Sequence, residues 1–184
     1  TVIQANSATY DAVMEQLAVG RQLDNIVTGM WRAWPLTIGI LNVGAGAGIP
    51  SIPLAILWPE RQVTALDSNG KKTRFMAQVK NELGLDNFTA VQSRVEDYRT
   101  EPLFDGILSR AYASLADFVS SSQHLLATGG RFQAMKAILD TAELSALPKP
   151  FKVSACLPLH VPGCEAERHL VVIERDSAAT TNIP

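Results

Sequence analysis

Three glycines at alternate positions, Gly44, Gly46 and Gly48, carry the clearest chemical signal in this chain. They stand in Ile40-Leu41-Asn42-Val43-Gly44-Ala45-Gly46-Ala47-Gly48-Ile49-Pro50, between an apolar run and a helical stretch. Glycine lets the main chain turn sharply and lets a ligand lie against bare backbone. The helix that follows presents unpaired N–H groups in its first turn. The spacing is G-x-G-x-G. A pyrophosphate loop wants its third glycine one residue later, where this chain has Ile49, and that disfavours a nicotinamide-dependent oxidoreductase. Glycines alone also suit a turn that binds nothing. Asp67 adds the second half of a site. It lies 19 positions after Gly48, in Ala-Leu-Asp-Ser. At a strand end a carboxylate accepts both hydroxyls of an adenosine ribose. Asp67 or Ser68 also suits the N-cap of the next helix, and the two roles are compatible. Ser93-Arg94-Val95-Glu96-Asp97 follows the third strand pattern, where an adenine edge is read in such folds. A solvated charge cluster is its plainer meaning.

Lys71, Lys72, Arg74 and Lys80 gather on the early part of one helix. Such a run is usually a solvated face, but this helix starts at the ligand edge, so phosphate contact is a second reading. Cys156, His160, Cys164 and His169 are spaced like metal ligands. Four residues of strand cover roughly 13 Å, so Cys156 and His160 do not reach one ion from one straight strand, and no metal is expected.

The elements that must hold these residues follow from periodicity. Apolar residues at spacings of three and four mark a helix around Tyr10, Val13, Met14 and Leu17, and another from Leu23 to Trp31 that Pro35 stops. Strands are expected at Leu36–Val43, Gln62–Leu66, Phe88–Gln92, Phe104–Ser109, Arg131–Met135, Lys152–His160 and Arg168–Glu174. Helices are expected at Pro50–Leu57, at Gly70–Leu83 with Phe75, Val79 and Leu83 on one side, at Leu115–Leu126 with Gly129–Gly130 as its C-cap, and over 140–147. Strands alternating with helices imply a parallel sheet. The last two strands, joined by a turn at Pro162–Gly163, must pair antiparallel, because so short a link makes no parallel crossover. The reversed strand is expected at the end of the sheet. The chain divides into a helical segment 1–35, an α/β domain 36–176 and a polar, frayed tail 177–184.

Bulk properties bound the function. Apolar residues make up 47% of 184 and charged residues 18%, the balance of one globular domain. No apolar run approaches the roughly 18 residues of a membrane span. No signal peptide is recognisable, and the chain opens on Thr1, as a processed or truncated chain does. Two cysteines make no disulfide framework, so a reducing cytoplasm is expected. The net charge of −2 argues against a free-standing nucleic-acid binder but allows a local basic patch.

The glycine loop is the pattern of S-adenosylmethionine (SAM)-dependent methyltransferases, and a longer set of motifs resembles one family closely. Val43 to Ile56, Leu66-Asp67-Ser68-Asn69-Gly70-Lys71-Lys72-Thr73-Arg74-Phe75, Gln92 to Glu96, Phe104-Asp105-Gly106-Ile107-Leu108-Ser109-Arg110-Ala111 and Glu167 to Ile173 are similar to signatures of the ribosomal small-subunit RNA methyltransferase G family (RsmG, also called GidB). The resemblance covers about residues 37–175. It implies an α/β Rossmann-like SAM-dependent methyltransferase fold, with a mostly parallel seven-stranded sheet, one antiparallel strand and helices on both faces. It also implies a cytoplasmic, monomeric enzyme that methylates guanine N7 in 16S rRNA within the small ribosomal subunit. On that basis Asn42, Gly44, Ala45, Gly46, Gly48, Asp67, Ser68, Val95, Glu96 and Arg110 contact the cofactor. Arg110 is the catalytic candidate at its sulfonium end, and Lys71, Lys72, Arg74, Lys136 and Arg168 face RNA. The chain departs from the family pattern at Asn42, usually acidic, at Ala47, usually Pro, at Ser51 and Ala137, usually Gly, and at Gln22, usually His.

The chemistry is consistent with the absence of an acid–base dyad. Guanine N7 carries a lone pair and no proton, so in-line attack on a methyl group needs positioning and no base. Arg110 can donate to guanine O6 or to a phosphate, or else pair with Asp105 or Asp117. Tyr112, Trp34 and Trp31 are candidates to stack a splayed base. A SAM methyltransferase of another substrate and a non-catalytic SAM- or RNA-binding relative are the competing readings.

Overall fold

Short runs rich in β-branched, leucine and aromatic residues form seven strands. A computed structural model describes residues 39–110, 112, 114–137, 140–159 and 167–176. The strands are β1 Gly39–Val43, β2 Gln62–Asp67, β3 Phe88–Gln92, β4 Phe104–Arg110, β5 Leu126–Lys136, β6 Phe151–Leu159 and β7 Arg168–Arg175. The helices are α1 Ser51–Leu57, α2 Gly70–Leu83, α3 Leu115–Ser122 and α4 Thr141–Ser145. The helices expected within residues 1–34, the Pro162–Gly163 turn and the tail lie outside the described residues.

The strand order is β3-β2-β1-β4-β5-β7-β6. β1 pairs in parallel with β2 and β4, β2 with β3, and β4 with β5. Only β7 runs against its neighbours. It is therefore the one reversed strand, but it sits one place in from the edge, between β5 and β6, and not at the end. The order reverses between β1 and β4, the switch point at whose carboxyl edge such sheets bind ligands.

Alternation along each strand sends residues to two cores. Ile40, Val63, Ala65 and Leu108 pack under α1 and α2 with Ile52, Leu54 and Met76. Leu41, Val43, Ile107, Phe132 and Ile173 pack on the other face with Leu115, Phe118 and Val119 of α3. Helices thus cover both faces, and the inner strands are apolar on both sides, as a parallel sheet requires.

Two local expectations are corrected. In α2 the buried residues are Thr73 and Met76, with Val79 and Leu83 packed behind them, whereas Phe75 is 50% exposed. Phe75 is one residue, about 100°, out of phase with the buried stripe. The Gly129–Gly130 pair does not cap a helix. α3 ends at Ser122, a short 3₁₀ turn follows, and the glycines lie inside β5. There the pairing jumps from Phe104↔Leu126 to Gly106↔Arg131, a bulge that Gly129 makes with φ of 79°.

Candidate cofactor site

The glycine loop leaves β1 at Val43 and is fixed at three points. Ala45 N donates to Leu66 O at 3.0 Å and Gly48 N to Ala45 O at 2.9 Å. Gly46 N donates to Asp67 Oδ2 at 2.9 Å. Asp67 ends β2 and is 7% exposed. Its Oδ1 accepts from Asn69 N at 2.9 Å, and Lys72 Nζ stands 3.7 Å from Oδ2. Each oxygen thus holds one backbone N–H and keeps lone-pair capacity toward the crevice. The N-cap of α2 is Asn69, whose Oδ1 accepts from Lys71 N. Neither Asp67 nor Ser68 takes that role.

A cavity of about 320 Å³ opens beside Asp67, at the carboxyl ends of β1, β2 and β3. That is the small end of the range of roughly 300–1,000 Å³ for ligand pockets. It is lined by Val43, Gly44 and Leu66, by Asp67, Ser68 and Lys72, by Ser93, Arg94, Val95 and Glu96, and by Tyr112. Five predicted cofactor residues, Gly44, Asp67, Ser68, Val95 and Glu96, therefore meet in one cavity. Positions where Gly44 and Gly46 would carry a Cβ have no atom within 4 Å, so that stretch of main chain is open to a ligand. An adenosyl group fits the donor set: a buried carboxylate with spare acceptors, buried Val95 for a flat base and bare backbone beside them.

Three predicted cofactor residues support the loop from behind. Ala45 is 2% exposed and held by Leu66. Gly48 has φ of 88°, and a Cβ there would stand 2.2 Å from Ile52 Cδ1. Its missing side chain makes room for α1. Asn42 is wholly buried, and its Nδ2 donates to Ser51 Oγ at 3.2 Å. Two departures from the family pattern are thus one contact. Asn42 Oδ1 has no hydrogen-bond partner among the described residues. Removing the Ser51 hydroxyl orphans Nδ2 as well, so Ser51→Ala is expected to cost about 1–3 kcal/mol. Calorimetry should read this as a Tm lower by roughly 2–4 °C per kcal/mol. A Tm unchanged within 1 °C (about the precision of a scan) would show the bond to be dispensable.

Arg110 ends β4 on the exposed edge, and among the described residues it forms no ion pair with Asp105 or Asp117. It does not line the cavity; Tyr112, two residues on, does. Arg110 alternates with Leu108 of the α1–α2 core, and Arg168 with Leu170 of the same core. Lys136 alternates with Ala134 of the other core. Arg110 and Lys136 therefore leave opposite faces of the sheet. Lys136 is also no free surface cation: its Nζ lies 2.7 Å from Glu143 Oε1, with 15% and 18% of the side chains exposed. The same oxygen accepts from Leu115 N, so the pair ties β5 to α3 and α4. Lys71, Lys72 and Arg74 are exposed on α2. Arg168 Nη1 donates to its neighbour's carbonyl, Glu167 O. Trp31, Trp34, His160 and Cys164 lie outside the described residues. Among those described, no three His, Cys, Asp or Glu converge as metal ligands, and no helix is long and apolar enough to cross a membrane.

Sequence reasoning placed Lys72 only toward RNA, and it missed that Lys72 forms part of the cavity wall. Helical side chains lean toward the helix N-terminus, so a residue in the first turn after Asp67 covers Asp67. That signal was available in the spacing.

A family model described as rRNA small subunit methyltransferase G (GidB) matches residues 15–171. The chain belongs to that family. It is 54% identical over 135 residues to the ribosomal RNA small subunit methyltransferase G of Pseudomonas paraeruginosa, covering 73% of this chain and 63% of that one. Against the protein of the same name from Erwinia tasmaniensis it is 50% identical over 163 residues, covering 88% and 77%. The fold is shared with more distant solved structures. A glycopeptide N-methyltransferase, MtfA, complexed with S-adenosyl-L-methionine superposes with a TM-score of 0.68 at 16% identity, over 84% of this chain and 94% of that one. TrmN from Thermus thermophilus gives 0.63 at 21%, over 76% and 44%. Membership in the methyltransferase G family agrees with the Rossmann-like architecture already described.

Proposed function

We propose that this member of the methyltransferase G family transfers the methyl group of S-adenosylmethionine to N7 of a guanine in 16S rRNA of the small ribosomal subunit. The observation that carries the reading is the Asp67 carboxylate. It is buried at the end of β2, anchored by Gly46 N and Asn69 N, and faces a cavity beside an open glycine backbone. When bound, S-adenosylmethionine supplies an electrophilic methyl group on a sulfonium.

The residues of the chain do the rest. Asp67 accepts the two ribose hydroxyls. Val95 packs against the adenine, and Glu96 or main chain beside it reads the adenine edge. The main chain of Gly44 and Gly46 lies along the remainder of the cofactor. Arg110, exposed where β4 ends next to the loop, positions the guanine through O6 or an adjoining phosphate, and Tyr112 of the cavity lining stacks on the base. No side chain has to take a proton before attack, because N7 has none at neutral pH. Catalysis is then chiefly orientation, an effect that can supply several kcal/mol of the barrier. Lys71, Lys72, Arg74 and Arg168 neutralise phosphates around the opening. We assign the enzyme to the cytoplasm, acting as a monomer and without a metal.

Incubation with methyl-labelled S-adenosylmethionine and unmethylated 30S subunits tests this. Label is expected in 16S rRNA, at one guanine that becomes sensitive to borohydride and aniline cleavage, as N7-methylguanosine is. Arg110→Ala should cut this rate by about 10²-fold, the usual scale for losing a positioning contact, while S-adenosylhomocysteine binding changes little. Label confined to small nucleophiles, or none in 16S rRNA, would refute the proposal.

A further inference from the structure

Lys72 occupies an unusual place for a residue meant to meet RNA. Its Nζ stands 3.7 Å from Asp67 Oδ2, inside the wall of the cavity, although its side chain is 52% exposed. Asp67 is 8% exposed, and each of its oxygens already accepts one backbone N–H. The acceptor capacity that remains is what a ribose diol needs, and Lys72 sits against part of it. At 3.7 Å the ammonium is a loose counter-ion, beyond hydrogen-bond distance.

We propose that Lys72 is a counter-ion switch: ribose hydroxyls displace it from Asp67, and the freed ammonium then takes an RNA phosphate. This rests on reading the cavity as a SAM site and gives that site a positive coupling between cofactor and RNA. Donation from two hydroxyls satisfies Asp67 without Lys72. The exposed lysine stem swings outward on the first turn of α2, beside Lys71 and Arg74, which are exposed on the same helix. Lys71 serves as the internal comparison. It precedes Lys72 by one residue, and among the described residues it forms no ion pair with Asp67.

An exposed pair of this kind is weak, so the coupling is modest. S-adenosylhomocysteine, which cannot donate a methyl group, should raise the affinity for transcribed 16S rRNA roughly two- to fivefold, the range such a pair allows. By linkage the RNA should raise the affinity for S-adenosylhomocysteine by the same factor. Salt gives a sharper readout. Each phosphate neutralised adds about 0.7–0.9 to the slope of log K against log salt concentration. The wild-type slope should steepen by that amount when S-adenosylhomocysteine is added. Lys72→Met should bind S-adenosylhomocysteine as tightly as wild type or a few-fold tighter, and its slope should be the same with and without it. Lys71→Met should lose RNA affinity equally in both states and keep the slope change.

Three results would overturn the switch while leaving the site intact: no slope change in wild type that binds S-adenosylhomocysteine, a slope change that survives in Lys72→Met, or a Lys72→Met protein whose S-adenosylhomocysteine affinity falls by more than about fivefold, beyond the range of such a pair. The last would make Lys72 a cofactor ligand. Wild type that binds no S-adenosylhomocysteine would overturn the site and the switch together.

Discussion

Asp67→Ala is expected to weaken S-adenosylhomocysteine binding by roughly 10²- to 10⁴-fold. The figure follows from two hydrogen bonds to a charged acceptor, each contributing about 1.5–3 kcal/mol, with each 1.4 kcal/mol worth a factor of ten. The carboxylate is buried, so solvent does little to soften the loss. The variant also leaves Gly46 N and Asn69 N without their acceptors, which loosens the loop that lies along the ligand. Asp67→Asn separates the two effects. It keeps the shape, but its amide nitrogen must face one of those N–H groups, donor to donor. We therefore expect an intermediate loss. Titration calorimetry measures both, with circular dichroism confirming the fold. Binding within about threefold of wild type, under a third of one such bond, would mean that Asp67 is only a brace for the loop.

Gly48→Ala is expected to be the most damaging of the three single glycine replacements in the loop. A Cβ there would lie 2.2 Å from Ile52 Cδ1 and 2.7 Å from Cγ1, and φ is 88°. A left-handed backbone costs alanine about 1–2 kcal/mol, and forcing a methyl group into a packed site adds about 1–3. The sum, roughly 2–5 kcal/mol, lowers Tm by roughly 4–20 °C in a chain of this size. Gly44→Ala and Gly46→Ala meet no atom within 4 Å, so they should lose stability through φ alone and show their larger effect on ligand affinity. Ile52→Val deletes Cδ1. The double variant Gly48→Ala with Ile52→Val should therefore be more stable than the sum of the two single changes predicts. Strict additivity would show that the conflict with Ile52 is not what disfavours a side chain at residue 48.

How much could be read from the chain follows from which signals are local. The α2 bounds, Gly70–Leu83, were legible from the periodic run, but its N-cap was not: Asn69 caps the helix, and Asp67 and Ser68 do not. β2 and β3 were legible because turn residues bracket short β-branched runs. Gly44, Asp67, Ser68, Val95 and Glu96 were named from spacing and resemblance, and they line one cavity. Asn42, Ala45 and Gly48 were named with them; they are buried under the loop, a placement settled by strand alternation and by Ile52 packing against residue 48. The spacing of Phe75, Val79 and Leu83 suggested one face, yet the space under Gly48 receives Met76, whose Cγ is 3.4 Å from the position of a Cβ there. Gly129 and Gly130 carry a turn signal that a bulge and a helix cap share. Lys136 reads as a surface cation until Glu143, seven residues away, is brought against it. These misses turn on which side chains pack together, and residue type and periodicity do not report that even over four or seven residues.

The place of β7 bears on how the nascent protein comes together. During synthesis β5 and β6 emerge first, yet neither pairs with the other in the finished sheet; β7 separates them. Until residues 168–175 leave the ribosome, β5 presents an unzipped flank, and such open flanks are templates for aggregation. β6 joins the sheet only through β7, the later-made strand. A chain that ends before β7 therefore lacks the strand that joins β6 to the rest of the sheet, and its β5 keeps an open border.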